Sequence, residues 1–351
     1  KTEFPGERTM SENLFMKAMS KTASVYWHDS GKLSEIDEAI SNGAVSITLN
    51  PFLTYSALES DLPMWRKKAS EISENYSGDK KAEELTKLVV GYYAEKLRPF
   101  YESGKPGEGY VCAQVNPGKC GDAEGMIAQG KSYASVAPNV CIKLPATRAG
   151  LAACEELSAL GHNVVMTVGM TVPQALMSGE AITKGHERAK KNGIKPGFGA
   201  AVIMVGRLDD YLRDVAQDSG LGIAEEDIIL AGVACYKRSV KIFEERGYDE
   251  YLMAAAFRGI GQVKELAGTA TMLSVAPKIA GLLAGTDMTE DISARPVPDD
   301  VIERLSAIKE FVRAYEPDGM KPEEFITFGA VNRTTSQFVE SGWNRMKSFS
   351  C

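Results

Sequence analysis

Short apolar runs separated by helical patterns recur along this chain, and that recurrence limits its fold more than any other feature. The runs are Val25–Trp27, Val45–Leu49, Tyr110–Val115, Val140–Leu144, Val164–Val168, Ala200–Val205, Leu252–Ala256 and Met272–Val275, each bounded by turn residues. Between most of them the apolar spacing is helical, as in Leu33–Asn42, Gly150–Leu160, Val172–Asn192 and Ser239–Arg246. This alternation points to a parallel sheet, because parallel neighbours need a crossover connection of a dozen or more residues. Eight such units predict an α/β fold, a closed (β/α)8 TIM barrel, with an open doubly wound sheet as the alternative.

Two stretches exceed a minimal barrel. Leu62–Ser103 carries Leu85, Leu88, Val89, Tyr92 and Leu97 at helical spacing, which predicts one or two amphipathic helices inserted after the second strand. Pro298–Ala314 repeats the pattern through Val301, Leu305, Ile308 and Val312. The tail from Phe325 to Cys351, with Phe328, Phe338 and Trp343, is apolar enough to dock on the domain or on a second subunit, so a homo-oligomer is open. No internal repeat or low-complexity linker divides the chain. Residues 1–351 read as one domain, with a barrel core over about 24–283 and a C-terminal helical extension over about 284–351.

Composition narrows the partners. Lys and Arg number 40 against 47 Asp and Glu, a net charge of −7, which argues against nucleic acid and for a small-molecule partner. No apolar run approaches the roughly 18 residues that a membrane helix needs. Lys1–Asn13 is too polar for a signal sequence, and a cytoplasmic location is expected. The six cysteines (Cys112, Cys120, Cys141, Cys154, Cys235, Cys351) contain no C-x-x-C pair and read as reduced thiols. His28, His162 and His186 offer no i, i+4 pair, so a histidine-rich metal site is hard to build. Chemistry without metal or cofactor must then use carboxylates, amides, hydroxyls, Lys or Arg.

In a parallel barrel the carboxyl ends of the strands share one face, and the active site is built there. A polar residue that closes an apolar run is therefore a site candidate. Such residues are Asp29, Asn50, Gln114 with Asn116, Lys143, Thr167, Arg207 and Arg258. Lys143 is the most informative, because a lysine within Val140–Pro145 falls on a central strand, where an uncompensated ammonium is costly. One reading is a lysine whose stem packs while its head reaches solvent. The other is a Schiff-base nucleophile, activated when apolar strands and neighbouring arginines favour the neutral amine. Asp29 supplies the carboxylate that an iminium mechanism needs for proton transfer, or else a salt bridge to Lys143. Arg207 and Arg258 suit bidentate recognition of a phosphate, with an ordinary ion pair as the alternative. Asn50 and Thr167 could bind a sugar hydroxyl and a catalytic water, or only tie down a loop.

With these segments in order, the chain resembles the transaldolase family of class I aldolases, which includes a fructose-6-phosphate aldolase branch. The resemblance rests on W-H-D-S-G with Asp29, G-A-V-S-I-T-L-N-P with Asn50, and I-K-L-P-A-T-x-x-G-L with Lys143. It continues through G-H-N-V-V-M-T-V with Thr167, V-G-R with Arg207, and A-A-F-R with Arg258 followed by L-A-G and V-A-P. It implies that Lys143 forms an imine with a ketose phosphate, Asp29 moves the proton, and Asn50 binds a dihydroxyacetone moiety. Thr167 and Gln114 would hold the catalytic water, and Arg207 and Arg258 the sugar phosphate. It also implies a cofactor-free transferase of carbohydrate metabolism. The chain departs from standard transaldolases at Gln114, where they carry glutamate and the aldolase branch glutamine. Met204 stands where transaldolases have phenylalanine and that aldolase tyrosine, and Val202 and Ala256 replace residues that are often serine. The resemblance thus implies transfer of dihydroxyacetone between sugar phosphates first, aldol cleavage second, and a silent sugar-phosphate-binding barrel third.

Two motifs mislead. Gly125–Ser132 spells the G-x-x-x-x-G-K-S of a P-loop, but Asp122–Ser135 reads as one continuous helix. Gly259-Ile-Gly261 lacks the third glycine of a dinucleotide fingerprint.

Overall fold

The computed structural model describes residues 12–288 and 290–350. Most of the polar opening stretch and the sixth cysteine, Cys351, lie outside the described residues. The strands are β1 Val25–His28, β2 Ser46–Ile47, β3 Val111–Gln114, β4 Val140–Pro145, β5 Asn163–Thr167, β6 Gly199–Met204, β7 Tyr251–Ala255 and β8 Met272–Val275. They close in chain order, each parallel to its neighbours, with β8 returning to β1. The fold is a TIM barrel; the open sheet is excluded.

Register fixes which side chains face the interior, because partners abreast in a parallel sheet point to the same side. One parity set runs round the barrel: Ser46 and Ser274 beside Trp27, Cys112 beside Cys141, Gln114 beside Lys143, Lys143 beside Val165, Val165 beside Ala200, and Val202 beside Met253. The opposite set on β3 and β4, including Val111, Ala113, Ile142 and Leu144, packs with the surrounding helices. At the amino-terminal end the interior is filled by rings. Trp27 stacks on Phe198 at 5.9 Å, Tyr110 on Phe198 at 4.6 Å and Phe198 on Tyr251 at 5.6 Å. The barrel is thus plugged below and can open only at its carboxyl face.

Three expectations need correction. β2 keeps only Ser46–Ile47 of Val45–Leu49, since the Leu49 carbonyl accepts from Lys143 and Asn50 already caps the next helix. Leu62–Ser103 holds three helices, Leu62–Asn75, Gly78–Lys96 and Arg98–Glu102, rather than one or two, and helix Pro51–Ser60 precedes them. Pro51, Pro63 and Pro99 each occupy a first helical turn, where proline costs no hydrogen bond and restarts the chain. The Pro298–Ala314 pattern divides into Asp299–Leu305 and Lys309–Tyr315. The break shifts the helical phase, so Phe311 and Ala314 are buried while Val312 is 37% exposed. The C-terminal tail docks on the barrel: Phe328, Phe338 and Trp343 are buried, and Trp343 Nε1 donates to Asp79 Oδ1 at 2.9 Å.

Candidate active site

Asp29, Gln114, Lys143 and Thr167 all carry the inward parity at the carboxyl ends of β1, β3, β4 and β5. Gln114 and Lys143 lie abreast, and Thr167 lies abreast of Pro145, two residues beyond Lys143. Asp29 follows β1 directly and continues its ladder, its N–H donating to the Val275 carbonyl at 3.0 Å. Lys143 is 7% exposed, and its Nζ donates to the Leu49 carbonyl at 3.3 Å. It forms no ion pair with Asp29, so the salt-bridge reading of these two residues is set aside.

Asp29 is held by hydroxyls instead. Thr48 Oγ1 donates to Asp29 Oδ1 at 2.7 Å, and the Thr48 and Ser274 hydroxyl oxygens are 2.6 Å apart. Burial raises the Asp29 carboxyl above the usual aspartate range; the Lys143 cation, the Thr48 hydrogen bond, Arg207 and Ser274 oppose it in that order. The group is thus a carboxylate with raised proton affinity beside a buried amine. Gln114 Oε1 and Thr167 Oγ1 are buried and have no protein hydrogen-bond partner, so both are available to a ligand. Asn50 Oδ1 accepts from the Leu53 N–H at 3.0 Å, which leaves only its Nδ2 free for a sugar hydroxyl. Asn116 Oδ1 likewise accepts from the Gly118 N–H at 2.9 Å and shapes a turn. Val202 and Met204 share the inward parity and offer no hydrogen bond.

The arginines come from segments beyond the strands. Arg207 lies in the first turn of helix Val205–Asp218, not on β6. Gly206 permits this, since a Cβ there would lie 2.4 Å from the Ala256 carbonyl oxygen. Arg258 donates through Nε and Nη2 to Asp210 Oδ2 at 2.8 and 2.7 Å, and through Nη1 to the Ala256 carbonyl at 2.8 Å. Arg207 has no carboxylate partner, and its Nε is buried without one of any kind. Burial pushes its guanidinium down to about 10, with the like charge of Arg258 next in weight. The ion-pair reading therefore holds for Arg258 but not for Arg207.

Two strained residues close strands at this face. Val168 follows β5 at φ 55° and Ala256 follows β7 at φ 59°, both in the left-handed region. Each is backed by a buried glutamine six residues on. Gln174 Nε2 donates to the Val168 and Ala146 carbonyls at 3.1 and 2.9 Å, and its Oε1 accepts from the Met170 N–H at 3.0 Å. Gln262 Oε1 accepts from the Arg258 N–H at 2.7 Å, while its Nε2 donates to Asp209 Oδ2. The other Asp209 oxygen accepts from the Gly232 N–H at 2.8 Å. Sequence reading missed Thr48, Ser274, Gln174, Gln262 and Asp209. For Thr48 and Ser274 a signal existed, a hydroxyl inside an apolar run at the same parity as a site residue.

The misleading motif resolves as expected: Ala123–Ala134 is a helix capped by the Asp122 side chain, with Gly130 inside it. The five described cysteines are free thiols, and burial pushes Cys112 up to about 11.

A model of the transaldolase/fructose-6-phosphate aldolase family matches residues 26–322. The chain belongs to that family. It is similar to transaldolase 1 of Streptomyces avermitilis, with 29% identity over 220 residues that cover 62% of this chain and 58% of the relative. It is also similar to a transaldolase of Thiobacillus denitrificans, 26% identical over 231 residues and 62% of each chain. A probable transaldolase of Paracoccus denitrificans is 26% identical over 186 residues, 52% of this chain and 69% of the relative. The chain thus spans less than two thirds of the length of the first two.

Proposed function

We propose that this chain transfers a dihydroxyacetone unit from a ketose phosphate to an aldose phosphate through a Schiff base on Lys143. The observation that carries the reading is a buried lysine at the carboxyl ends of the strands, near a carboxylate whose proton affinity burial has raised. As the free amine, Nζ adds to the C2 carbonyl, and loss of water leaves a protonated imine. Asp29 then takes the C4 hydroxyl proton while the C3–C4 bond electrons pass to the imine; an aldose phosphate departs and an enamine remains. The enamine attacks the aldehyde of an acceptor, Asp29 returns its proton to the new C4 oxygen, and water hydrolyses the imine. Gln114 and Thr167 orient that water, Asn50 Nδ2 holds the dihydroxyacetone hydroxyl, and Arg207 with Arg258 receives the phosphate.

Gln114 favours a second reading. An amide cannot act as a base, so water at Gln114 and Thr167 is polarised by Asp29 alone, and release of free dihydroxyacetone competes with transfer. Two measurements separate the readings. Borohydride with fructose 6-phosphate should trap a covalent adduct on the Lys143 peptide; Lys143→Ala should trap none and lose activity by at least about a thousandfold. Trapping that survives the substitution, or activity abolished by a chelator, overturns the mechanism. Fructose 6-phosphate with erythrose 4-phosphate should then give transfer. Fast dihydroxyacetone release unaffected by acceptor makes the chain an aldolase, and binding without turnover makes it a silent barrel.

A further inference from the structure

The C-terminal extension does more than cover apolar surface. Helix Gly329–Phe338 lies against helix Val205–Asp218 and reaches the turn Pro117–Lys119 after β3, and the following turn, Val339–Trp343, packs on helix Pro51–Ser60. This strap therefore touches the segments that follow β2, β3 and β6, all at the open face. Its docking is specific. Gly329 sits on Tyr211, whose ring a Cβ would approach to 2.4 Å, Phe328 meets the same ring edge-on at 5.2 Å, and Arg333 pairs with Asp214 at 2.5 Å.

Where the strap passes Arg207 it supplies two contacts. Gln337 Oε1 accepts a hydrogen bond from Arg207 Nη1, and the Arg207 guanidinium lies 5.5 Å from the centre of the Phe338 ring. The choice of a neutral acceptor matters. Asp210 binds Arg258 through two donors and offsets its charge, whereas Gln337 fixes the direction of Arg207 and leaves its charge available. Arg207 is half-buried, feels the like charge of Arg258 against the opposing charge of Asp210, and keeps Nε buried without a partner. A dianion relieves these conditions together, since it offsets the one guanidinium charge here without a carboxylate partner among the described residues and supplies the acceptor that Nε lacks. A neutral sugar end relieves none.

We propose that Gln337 is a specificity-determining positioning residue, which aims Arg207 into the barrel mouth from the C-terminal extension and so sets the preference for substrates that end in a phosphate. The proposal rests on the sugar-phosphate reading above, and the experiment keeps the two apart. Calorimetric affinities of the full chain for fructose 6-phosphate and for fructose give a phosphate-preference ratio that needs no turnover. Gln337→Leu, which removes the acceptor, should lower that ratio about tenfold. Gln337→Glu, which puts a carboxylate on Arg207 and competes with the phosphate, should lower it further, by about thirtyfold. Borohydride trapping of dihydroxyacetone, which has no phosphate, reports the fold and Lys143 in the same samples and should change less than about threefold. A ratio equal within twofold in all three proteins overturns the proposal, as does loss of trapping in parallel with loss of affinity, which would mark a structural role. Absence of trapping in the unsubstituted chain with the ratio still falling overturns the Schiff-base reading and leaves this one standing.

Discussion

Asp29, Gln114, Lys143 and Thr167 are carried by strands or the residue directly after one, whereas Arg207 and Arg258 are carried by segments that leave the sheet. The difference extends to what holds them. On the reacting side, backbone ladders set position, and hydroxyls from Thr48 and Ser274 refine it. On the anion side, position depends on side chains that are themselves charged or borne by the extension: Asp210, Asp209 through Gln262, and Gln337. The two strained corners show the contrast most directly. Gln174 and Gln262 occupy equivalent places and accept equivalent N–H groups, yet Gln174 donates to two carbonyls and Gln262 to a buried carboxylate. At the strand ends position is thus set by neutral groups, whereas around the arginines carboxylates share that work with the amides of Gln262 and Gln337.

That contrast breaks most readily at Asp209. Burial pushes its carboxyl from the ordinary 3.8 to about 8, with Asp210 adding to the rise and the Gly232 N–H and the Arg213 and Arg258 cations opposing it. The folded chain then holds a proton there up to about pH 8, while the unfolded chain releases it above about pH 4. Its contribution to stability is complete below the unfolded value and is lost as pH rises toward the folded one. From about pH 5 to about pH 8 the loss amounts to roughly 4 kcal/mol. Urea unfolding of the unsubstituted chain and of Asp209→Asn across this range should differ by a slope of that sign, because asparagine cannot titrate. Parallel pH profiles would show that the β7 corner is as neutral as the β5 corner.

The arginines test the anion side alone. Arg207 has its charge free and a buried Nε unpartnered, while Arg258 has Asp210 on two of its donors. Arg207→Leu should raise KM for a phosphorylated ketose about a hundredfold and Arg258→Leu about tenfold, with smaller changes for an unphosphorylated one. The reverse order would mean that Asp210 leaves Arg258 on binding and that the resting pairing does not predict the grip.

How far the sequence could anticipate this site follows from the same division. Lys143, Gln114 and Thr167 were legible because a polar residue interrupts an apolar run at a fixed parity, and strand parity survives every later detail of packing. Thr48 and Ser274 obeyed that rule too, as Ser46, Thr48 and Asn50 alternate on one face; Asn50 drew attention because it closes the run, and its oxygen went to a helix cap. Gln174, Gln262 and Gln337 could not be read. Each is a polar residue on a helix, and its partner is chosen by where a loop or the extension lies in space. The single amphipathic pattern over Pro298–Ala314 failed for a related reason, since a short break alters which face is apolar without altering composition.

The smallest effect expected sharpens the reacting side. Thr48 and Ser274 hydroxyls both favour the ionised form of Asp29 against the burial that raises it. Proton abstraction from the C4 hydroxyl requires Asp29 ionised, so the acid limb of the rate profile follows its proton affinity. Thr48→Val keeps the shape of the side chain and removes the donor at 2.7 Å. A lost hydrogen bond of about 1 kcal/mol moves that limb toward higher pH by somewhat less than a unit. Ser274 still donates to the carboxylate when the Thr48 hydroxyl is gone, which keeps the rate at the plateau within a few-fold. Ser274→Ala should move the limb in the same direction by less, because its hydrogen bond ranks below that of Thr48 among the influences on Asp29. The double substitution should exceed the sum of the two, since neither hydroxyl can then replace the other. An acid limb that stays in place in all three proteins, or moves toward lower pH, would mean that Asp29 does not carry the proton, and the reacting side would have to be rebuilt around another group.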